Sequence, residues 1–373
     1  MNTARFSSMP TACRCLPPLL GLCLLLLASF GGRAQTINVD AATRYWEITD
    51  ALRRNEPLTD QEWRDFLALP GNKTYVASVF DDEDLVRYRR ALEVVYMPRY
   101  DSLRQVRLKA KSWYYLLIND YKEREQEYQA YVAQTVQSPA SLDLMYTYAY
   151  AYLPARNRTR LADLKIYYGV LGHDATSQQA GLFYSLRAAL DVNRLKPGIL
   201  EGHEMHHRLN PGRDFGTLAT ADEGLVKILV HTQLEGIADL IDKTLEVQTP
   251  GDPLGIRAWG LDPAPTCLQR LDSTIQSQAR GGAPGSLKFY RRLSGGSYGH
   301  VPGFYMASII EHNGYAQPMI AAVGDPFVFV KLYQKAAKKD ATHPPRFSDA
   351  TVRYLRQLDR AYAKPRVAPP AGQ

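Results

Sequence analysis

Cysteine is scarce in this 373-residue chain. Three of its 4 cysteines, Cys13, Cys15 and Cys23, precede residue 34, and only Cys267 follows. The part of the chain after residue 34 therefore cannot form an intrachain disulfide, and it has no cysteine cluster that could bind a metal ion. Its stability must come from an apolar core, for which a chain of this length is ample.

Long blocks of lysine or arginine are absent too, as are a phosphate-binding loop and an internal repeat. The formal net charge is +7. The cluster of Arg156, Arg158 and Arg160 is short and typical of a solvated turn. The sequence therefore predicts no nucleic-acid partner.

The first 34 residues have the three parts of a secretory signal peptide. Arg5 and Arg14 precede a leucine-rich core at residues 19–28, and small residues follow up to Ala34. Cleavage after Ala34 would remove three arginines and no acid, which lowers the formal net charge from +7 to +4. Residues 1–34 thus predict an exported protein, periplasmic or extracellular, without an integral membrane span after cleavage; retention as an uncleaved anchor stays open.

The most informative segment is His203-Glu204-Met205-His206-His207, an H-E-x-x-H pattern on a helix-like stretch. Imidazoles four residues apart on a helix lie on one face, so His203 and His207 could bind one tetrahedral zinc ion. Glu204 could take a proton from water activated by that ion. The pattern therefore predicts a zinc hydrolase centre.

A second helix is predicted at residues 225–241, where apolar residues recur at intervals of three and four. A carboxylate on such an apolar helix is costly unless it is paired or bound to a cation. Glu235 is therefore the candidate third zinc ligand, which leaves one position open for water. Asp239, one turn later, could hold a ligand histidine by its second ring nitrogen.

In these residues the chain resembles the gluzincin metallopeptidases, which have an H-E-x-x-H helix and a later E-x-x-x-D helix. It is more closely similar to bacterial families of zinc-dependent peptidases of unknown function. Their pattern is H-E-x-H-H followed by E-G-[IL]-A, which residues 203–207 and 235–238 match here. The likeness covers roughly residues 160–312. It implies a zincin-like catalytic core and one Zn²⁺ per chain, held by His203, His207 and Glu235.

Several neighbouring residues leave alternatives open. Asp214 or Asp222 could replace Glu235 as the carboxylate ligand, although Asp222 is better interpreted as a helix cap. His206 could compete for the metal or form structural hydrogen bonds. His231 shares a helix face with Glu235, and we expect it near the site without binding the metal.

A donor for the developing oxyanion is predicted in a glycine-rich loop that opens an apolar helix near residue 300. The candidates are His300 and Tyr305 first, then Tyr298. A packed loop without a catalytic role is the alternative for each of them.

The predicted fold is α+β and predominantly helical, with a zincin-like core that has a small sheet before the H-E-x-x-H helix and helical parts on both sides. The expected regions are 35–140 (helical), 141–325 (catalytic), 326–363 (carboxyl-terminal helices) and 364–373 (disordered tail). Expected helices are 41–54, one capped near Thr59, 83–96, 100–136, 327–338 and 348–363, with a break at Pro98. Expected strands are 145–152, 164–170 and 181–186, and expected loops are 249–266 and 281–285.

Taken together, these features predict an exported zinc-dependent metallopeptidase that acts on a peptide or protein substrate, with Glu204 as the general base. Two alternatives stay open: a catalytically silent zincin-fold binding or scaffold protein, and a zinc amidohydrolase that acts on a non-peptide amide. The sequence has no G-x-M-E-N motif, which disfavours an aminopeptidase of that kind.

Overall fold

The structure is a computed structural model, and it describes residues 35–210 and 212–363. The predicted signal peptide (1–34) and the predicted tail (364–373) lie outside these residues. Among the described helices, none combines the length and the apolar character needed to cross a membrane.

The fold is α+β and predominantly helical, as predicted. The helices are α1 (Asp40–Arg53), α2 (Asp60–Ala68), α3 (Pro70–Val79), α4 (Asp82–Tyr96), α5 (Asp101–Lys109), α6 (Trp113–Glu123), α7 (Glu125–Tyr131), α8 (Ser141–Ala151), α9 (Leu186–Asn193), α10 (Ile199–Leu209), α11 (Thr220–Gln248), α12 (Ala264–Ala279), α13 (Leu287–Leu293), α14 (His300–His312), α15 (Ala316–Ala321), α16 (Pro326–Lys339) and α17 (Asp349–Ala361). Short 3₁₀ turns lie at Pro98–Tyr100 and Ala155–Asn157, and π-helical turns at Val132–Val136 and Arg257–Leu261.

One small mixed sheet stands before the helix that carries the H-E-x-x-H pattern. Its strands are β1 (Thr36–Asn38), β2 (Lys165–Gly169), β3 (Ala175–Gln178) and β4 (Gly181–Ser185), in the order β1-β2-β4-β3. β2 pairs in parallel with β1 and with β4, whereas β3 runs antiparallel to β4 and forms one edge. The predictions of β2 and β4 are confirmed, while β1 and β3 are too short and too polar to be evident from the sequence.

Local signals fix several helix ends. Thr59 caps α2 in a capping box with Glu62, in which each side chain satisfies a backbone N–H of the other residue. Ser348 caps α17 with its hydroxyl, which accepts from the backbone N–H of Thr351. Pro98 separates α4 from α5, as predicted, because proline cannot continue a helix.

The prediction of a strand at residues 145–152 is wrong, because this segment belongs to α8. Its tyrosines alternate, but the buried side chains are Met145, Tyr146 and Ala149, which have helical spacing. α8 packs tightly on α10, where a Cβ added to Gly202 would lie 2.5 Å from the Cβ of Tyr148. Packing of one helix against the other therefore outweighs the period-two pattern.

Other predicted boundaries also differ from the structure. The helical stretch 100–136 is divided into α5, α6 and α7, with a left-handed Lys111 at the first break. The loop predicted at 249–266 contains a π-helical turn and the start of α12. Asp222 does not cap α11, whose N-cap residue is Ala219. The carboxylate of Asp222 instead accepts hydrogen bonds from the hydroxyls of Tyr354 and Tyr362.

A single apolar cluster joins the amino-terminal helices, the region around the sheet and the carboxyl-terminal helices. It runs from Tyr45 in α1 through Phe183 in β4 to Leu358 in α17. Its buried tyrosines include Tyr88, whose hydroxyl donates to the carbonyl of Val170. The cluster thus holds α10 and α11 on a continuous apolar support.

Candidate metal centre

α10 presents both histidines of the H-E-x-x-H pattern toward one point. His203 is 3% exposed, and its Nε2 lies 3.0 Å from the Nε2 of His207. The residues are one helical turn apart, which brings their rings together. The ring planes are nearly perpendicular, with an interplanar angle of 86°. Two nitrogen lone pairs can therefore meet on one ion.

Glu235 comes to the same point from the middle of α11. Its Oε2 lies 3.0 Å from the Nε2 of His207 and 3.7 Å from the Nε2 of His203. Ligand atoms bound to a tetrahedral zinc ion at about 2.0–2.1 Å are about 3.3 Å apart. The observed triangle has this size, and its two nitrogens and one carboxylate oxygen are donors that zinc prefers, so the residues fit a zinc ion.

The charge on Glu235 is favoured by its surroundings. Burial alone would raise the pKa of its carboxyl group, but His207 and His300 hold that pKa well below its usual value. A lowered pKa favours the carboxylate anion, which is the state that binds a metal.

Carboxylates of α11 fix the outer nitrogens of two histidines. Asp242 Oδ1 lies 3.1 Å from the Nδ1 of His203. Because a carboxylate can only accept, the Nδ1 of His203 donates, and in the neutral ring the lone pair is then on Nε2, where a metal ion can bind. Asp239, which the E-x-x-x-D pattern assigns to a ligand histidine, accepts instead from the Nδ1 of His300 at 3.0 Å and lies 3.7 Å from the Nδ1 of His203.

Glu204 lies at the wall of the same centre. One of its carboxylate oxygens is within 4.8 Å of a ring nitrogen of His203 and of a ring nitrogen of His207. Burial raises the pKa of its carboxyl group, against the opposing effect of the two histidines. A raised carboxyl pKa suits a group that must both take up and release a proton near neutral pH.

Three glycines let α14 come close enough to α11 to deliver His300. A Cβ added to Gly236 would lie 2.4 Å from the carbonyl carbon of Gly303, and one added to Gly303 would lie 2.2 Å from the carbonyl oxygen of Thr232. Gly299, with φ +104°, approaches the backbone of Thr232 in the same manner. As a result the Nε2 of His300, the first residue of α14, lies 3.4 Å from the Oε2 of Glu235.

The centre opens into a cleft of about 560 Å³. The edge strand β3 lines one side, and α10, α11 and α14 line the other. The lining side chains outside β3 are Gln179, His203, Glu204, His207, Arg208, Asn210, His231, Leu234, Glu235 and His300. Arg208 donates to the backbone carbonyls of Gln178 and Gln179, which ties the end of β3 to the metal-site helix.

The remaining predicted residues lie farther out. His231 lines the cleft and contacts the ring of Tyr298 edge-on, with ring centroids 6.0 Å apart. Tyr298 is 44% exposed, with the guanidinium of Arg291 over its ring, and it is not among the described residues that line the cleft. Tyr305 is not among them either, and its ring packs against the buried cluster of Ala264, Cys267 and Val301.

The alternative ligands also lie elsewhere. His206 is fully buried and faces the carbonyl of Tyr152, where burial lowers its pKa to about 3. Asp214 accepts from the backbone amide of Gly216. Sequence reasoning missed Asp242, although its spacing of seven residues from Glu235 places it two turns along the same helix face.

Comparison with known proteins identifies the family to which the chain belongs. No curated protein and no solved structure matches the chain. One protein family, described as "Putative zinc dependent peptidase (DUF5700)", matches residues 63–342, a span that contains the centre and most of the helices around it. The chain belongs to this family.

Proposed function

We propose that the protein is an exported, gluzincin-like metallopeptidase that holds one zinc ion by His203, His207 and Glu235. The convergence of these three ligand atoms within 3.0–3.7 Å of one another, at the floor of an open cleft, is the observation that carries the proposal. The family assignment supports the metal and the reaction class. Export rests on the signal-like residues 1–34.

A bound zinc ion would supply the positive charge that acidifies a water molecule and polarises a substrate carbonyl. Glu204 accepts a proton from the attacking water and then passes it to the leaving nitrogen. Its burial supports this role, because a carboxylate with poor solvation gains from taking up a proton. The two transfers together exchange the amide bond for an acid and an amine.

His300 is the proposed donor to the oxyanion that develops on the substrate carbonyl. Its Nδ1 is held by Asp239, and its Nε2 lies on the cleft side, 3.4 Å from Glu235. Burial would lower the pKa of His300, but Asp239 and Glu235 raise it, which favours the protonated ring as a donor. Tyr305 and Tyr298 lack a comparable position on the cleft wall.

The edge strand β3 supports an extended peptide as the substrate. Among the described strands β3 pairs with β4 alone, and its four residues line the cleft. A peptide laid along such an edge can exchange backbone hydrogen bonds with it, which places a peptide carbonyl beside the metal centre.

Glu204→Gln tests the mechanism, because the amide keeps the size of the side chain but cannot accept the proton. We expect the variant to bind about one zinc per chain, like the wild type, and to lose at least about 99% of the hydrolysis. Unchanged hydrolysis by Glu204→Gln would contradict the assignment of the base.

A peptide library, with and without a chelator, separates the proposal from its two alternatives. Cleavage that disappears with the chelator supports the peptidase. Full zinc occupancy without cleavage of any peptide supports a binding protein, and hydrolysis restricted to non-peptide amides supports an amidohydrolase.

A further inference from the structure

A buried lysine joins the two carboxylates behind the metal centre. The Nζ of Lys243 lies 2.7 Å from Oδ1 of Asp239 and 3.1 Å from Oδ2 of Asp242. Through these carboxylates it is linked to the Nδ1 of His300 on one side and to the Nδ1 of His203 on the other. The ammonium group of Lys243 thus lies between two carboxylates. One is Asp242, the partner of the proposed metal ligand His203, and the other is Asp239, the partner of His300.

Burial makes these contacts strong. Asp239 is 0% exposed and Asp242 is 2% exposed, while the side chain of Lys243 is 12% exposed. Burial would lower the pKa of Lys243, but the two carboxylates raise it, so the ammonium keeps its charge. Two neighbouring buried carboxylates without this cation would repel one another and lack a balancing charge.

Asp239 has two histidines within reach, and this gives the lysine a specific task. The same Oδ1 of Asp239 lies 3.0 Å from the Nδ1 of His300 and 3.7 Å from the Nδ1 of His203. The E-x-x-x-D spacing alone would direct Asp239 to His203. In the structure Asp242 occupies that position, and Lys243 is bonded to both carboxylates at once.

We propose that Lys243 is a positioning residue that assigns Asp242 to His203 and Asp239 to His300, so that one side chain controls both metal affinity and the cleft histidine. Without the ammonium, Asp242 loses the partner that holds its carboxylate at His203, and Asp239 loses the partner that keeps its carboxylate at His300. The predicted effect on kcat rests on the proposed peptidase function, whereas the predicted effect on zinc affinity does not.

Four variants separate the two effects. Asp242→Asn weakens the support of His203, Asp239→Asn weakens that of His300, and Lys243→Met keeps the alkyl chain but removes the ammonium. Lys227→Met is the matched control, because Lys227 lies on the same helix in an exposed pair with Glu223. For each variant, zinc affinity is measured by competition with a chromophoric chelator, and kcat and KM are measured on a cleaved peptide.

Loss of a group that orients a metal ligand typically reduces metal affinity or activity by about 10–100-fold. We expect Asp242→Asn to lose zinc affinity by that factor. Asp239→Asn should keep zinc affinity within about threefold and lose kcat by about 10–100-fold with little change in KM. Lys243→Met should show both losses, and the control should show neither.

The inference is overturned if Lys243→Met keeps its zinc affinity within about threefold of the wild type while Asp242→Asn loses it. Lys243→Arg covers the case in which Lys243→Met does not fold: it retains the charge, and we expect it to retain most of the zinc affinity. An arginine variant that folds with the wild-type circular dichroism spectrum but binds zinc as weakly as Asp242→Asn contradicts the role of the charge. Absence of any hydrolysis by the wild type refutes the proposed function alone, since the affinity measurements still decide the role of Lys243.

Discussion

Gly236→Ala tests whether the close crossing of α11 and α14 is what brings His300 to the metal centre. Gly236 follows Glu235 directly, and its Cα faces the backbone of Gly303. The added methyl group would lie 2.4 Å from both the carbonyl carbon and the carbonyl oxygen of Gly303. These are backbone atoms, so no side chain can rotate away to make room.

The size of the effect follows from the geometry. Ordinary van der Waals contact begins at 3.4 Å, so the two helices must separate by about 1 Å at the crossing. Overpacking of this kind costs about 1–3 kcal/mol of folding free energy. A misplacement of about 1 Å at a reacting group can lower the rate about 100-fold, and here it would move His300 away from Glu235.

The assay measures thermal unfolding, zinc affinity and kcat for Gly236→Ala beside Gly260→Ala. The control residue also packs on α14, but its added Cβ would meet the ring of Phe304 at 3.7 Å, which is ordinary contact. We expect Gly236→Ala to lose stability and at least about tenfold in kcat, with zinc affinity less affected because His203 and His207 lie on α10. Wild-type stability and kcat in Gly236→Ala would refute the argument that the glycine crossing positions His300.

Two further predictions concern residues around the centre. Burial and Asp242 raise the pKa of Glu246 from its usual value of 4.5 to about 7, so the folded state binds this proton more tightly than the unfolded state and loses stability as the pH rises from about 4.5 to about 7. Glu246→Gln should therefore raise the free energy of unfolding by up to about 3 kcal/mol near pH 8 and by less than about 1 kcal/mol near pH 5. Urea denaturation at the two pH values measures this difference. Equal gains at both pH values would argue against a titrating Glu246. Tyr305→Phe should leave kcat/KM within about threefold of the wild type, whereas His300→Gln should lower it by about 100-fold. A larger loss of kcat/KM in Tyr305→Phe than in His300→Gln would assign the oxyanion role to Tyr305.

The local part of the metal centre can be predicted from the sequence. His203 and His207 are one turn apart on a single helix, so their convergence needs no knowledge of the rest of the fold. Glu235 is recognisable because a carboxylate on an apolar helix requires compensation. These arguments concern one helix at a time, and the structure brings the ring nitrogens of both histidines and a carboxylate oxygen of Glu235 within 3.7 Å of one another.

Relations between helices could not be predicted in the same way. Asp239 lies on the expected face, but its partner depends on where α14 delivers His300. The assignment of Asp242 to His203 depends on the angle between α10 and α11, which no spacing along the chain encodes. For the same reason the alternating tyrosines of α8 were misleading, since packing on Gly202 of α10 outweighs their period.

The three proposed zinc ligands have a consequence for how the protein and its metal depend on each other. His203 and His207 share one turn, whereas Glu235 arrives from a separate helix that must first pack on α10. An unfolded chain therefore offers the metal a looser donor set than the folded chain, and ions that bind the folded form preferentially shift the folding equilibrium toward it. Free zinc at about 100 times its dissociation constant would add about 2.7 kcal/mol to the stability, so the supply of metal would affect the stability of the fold as well as the proposed activity.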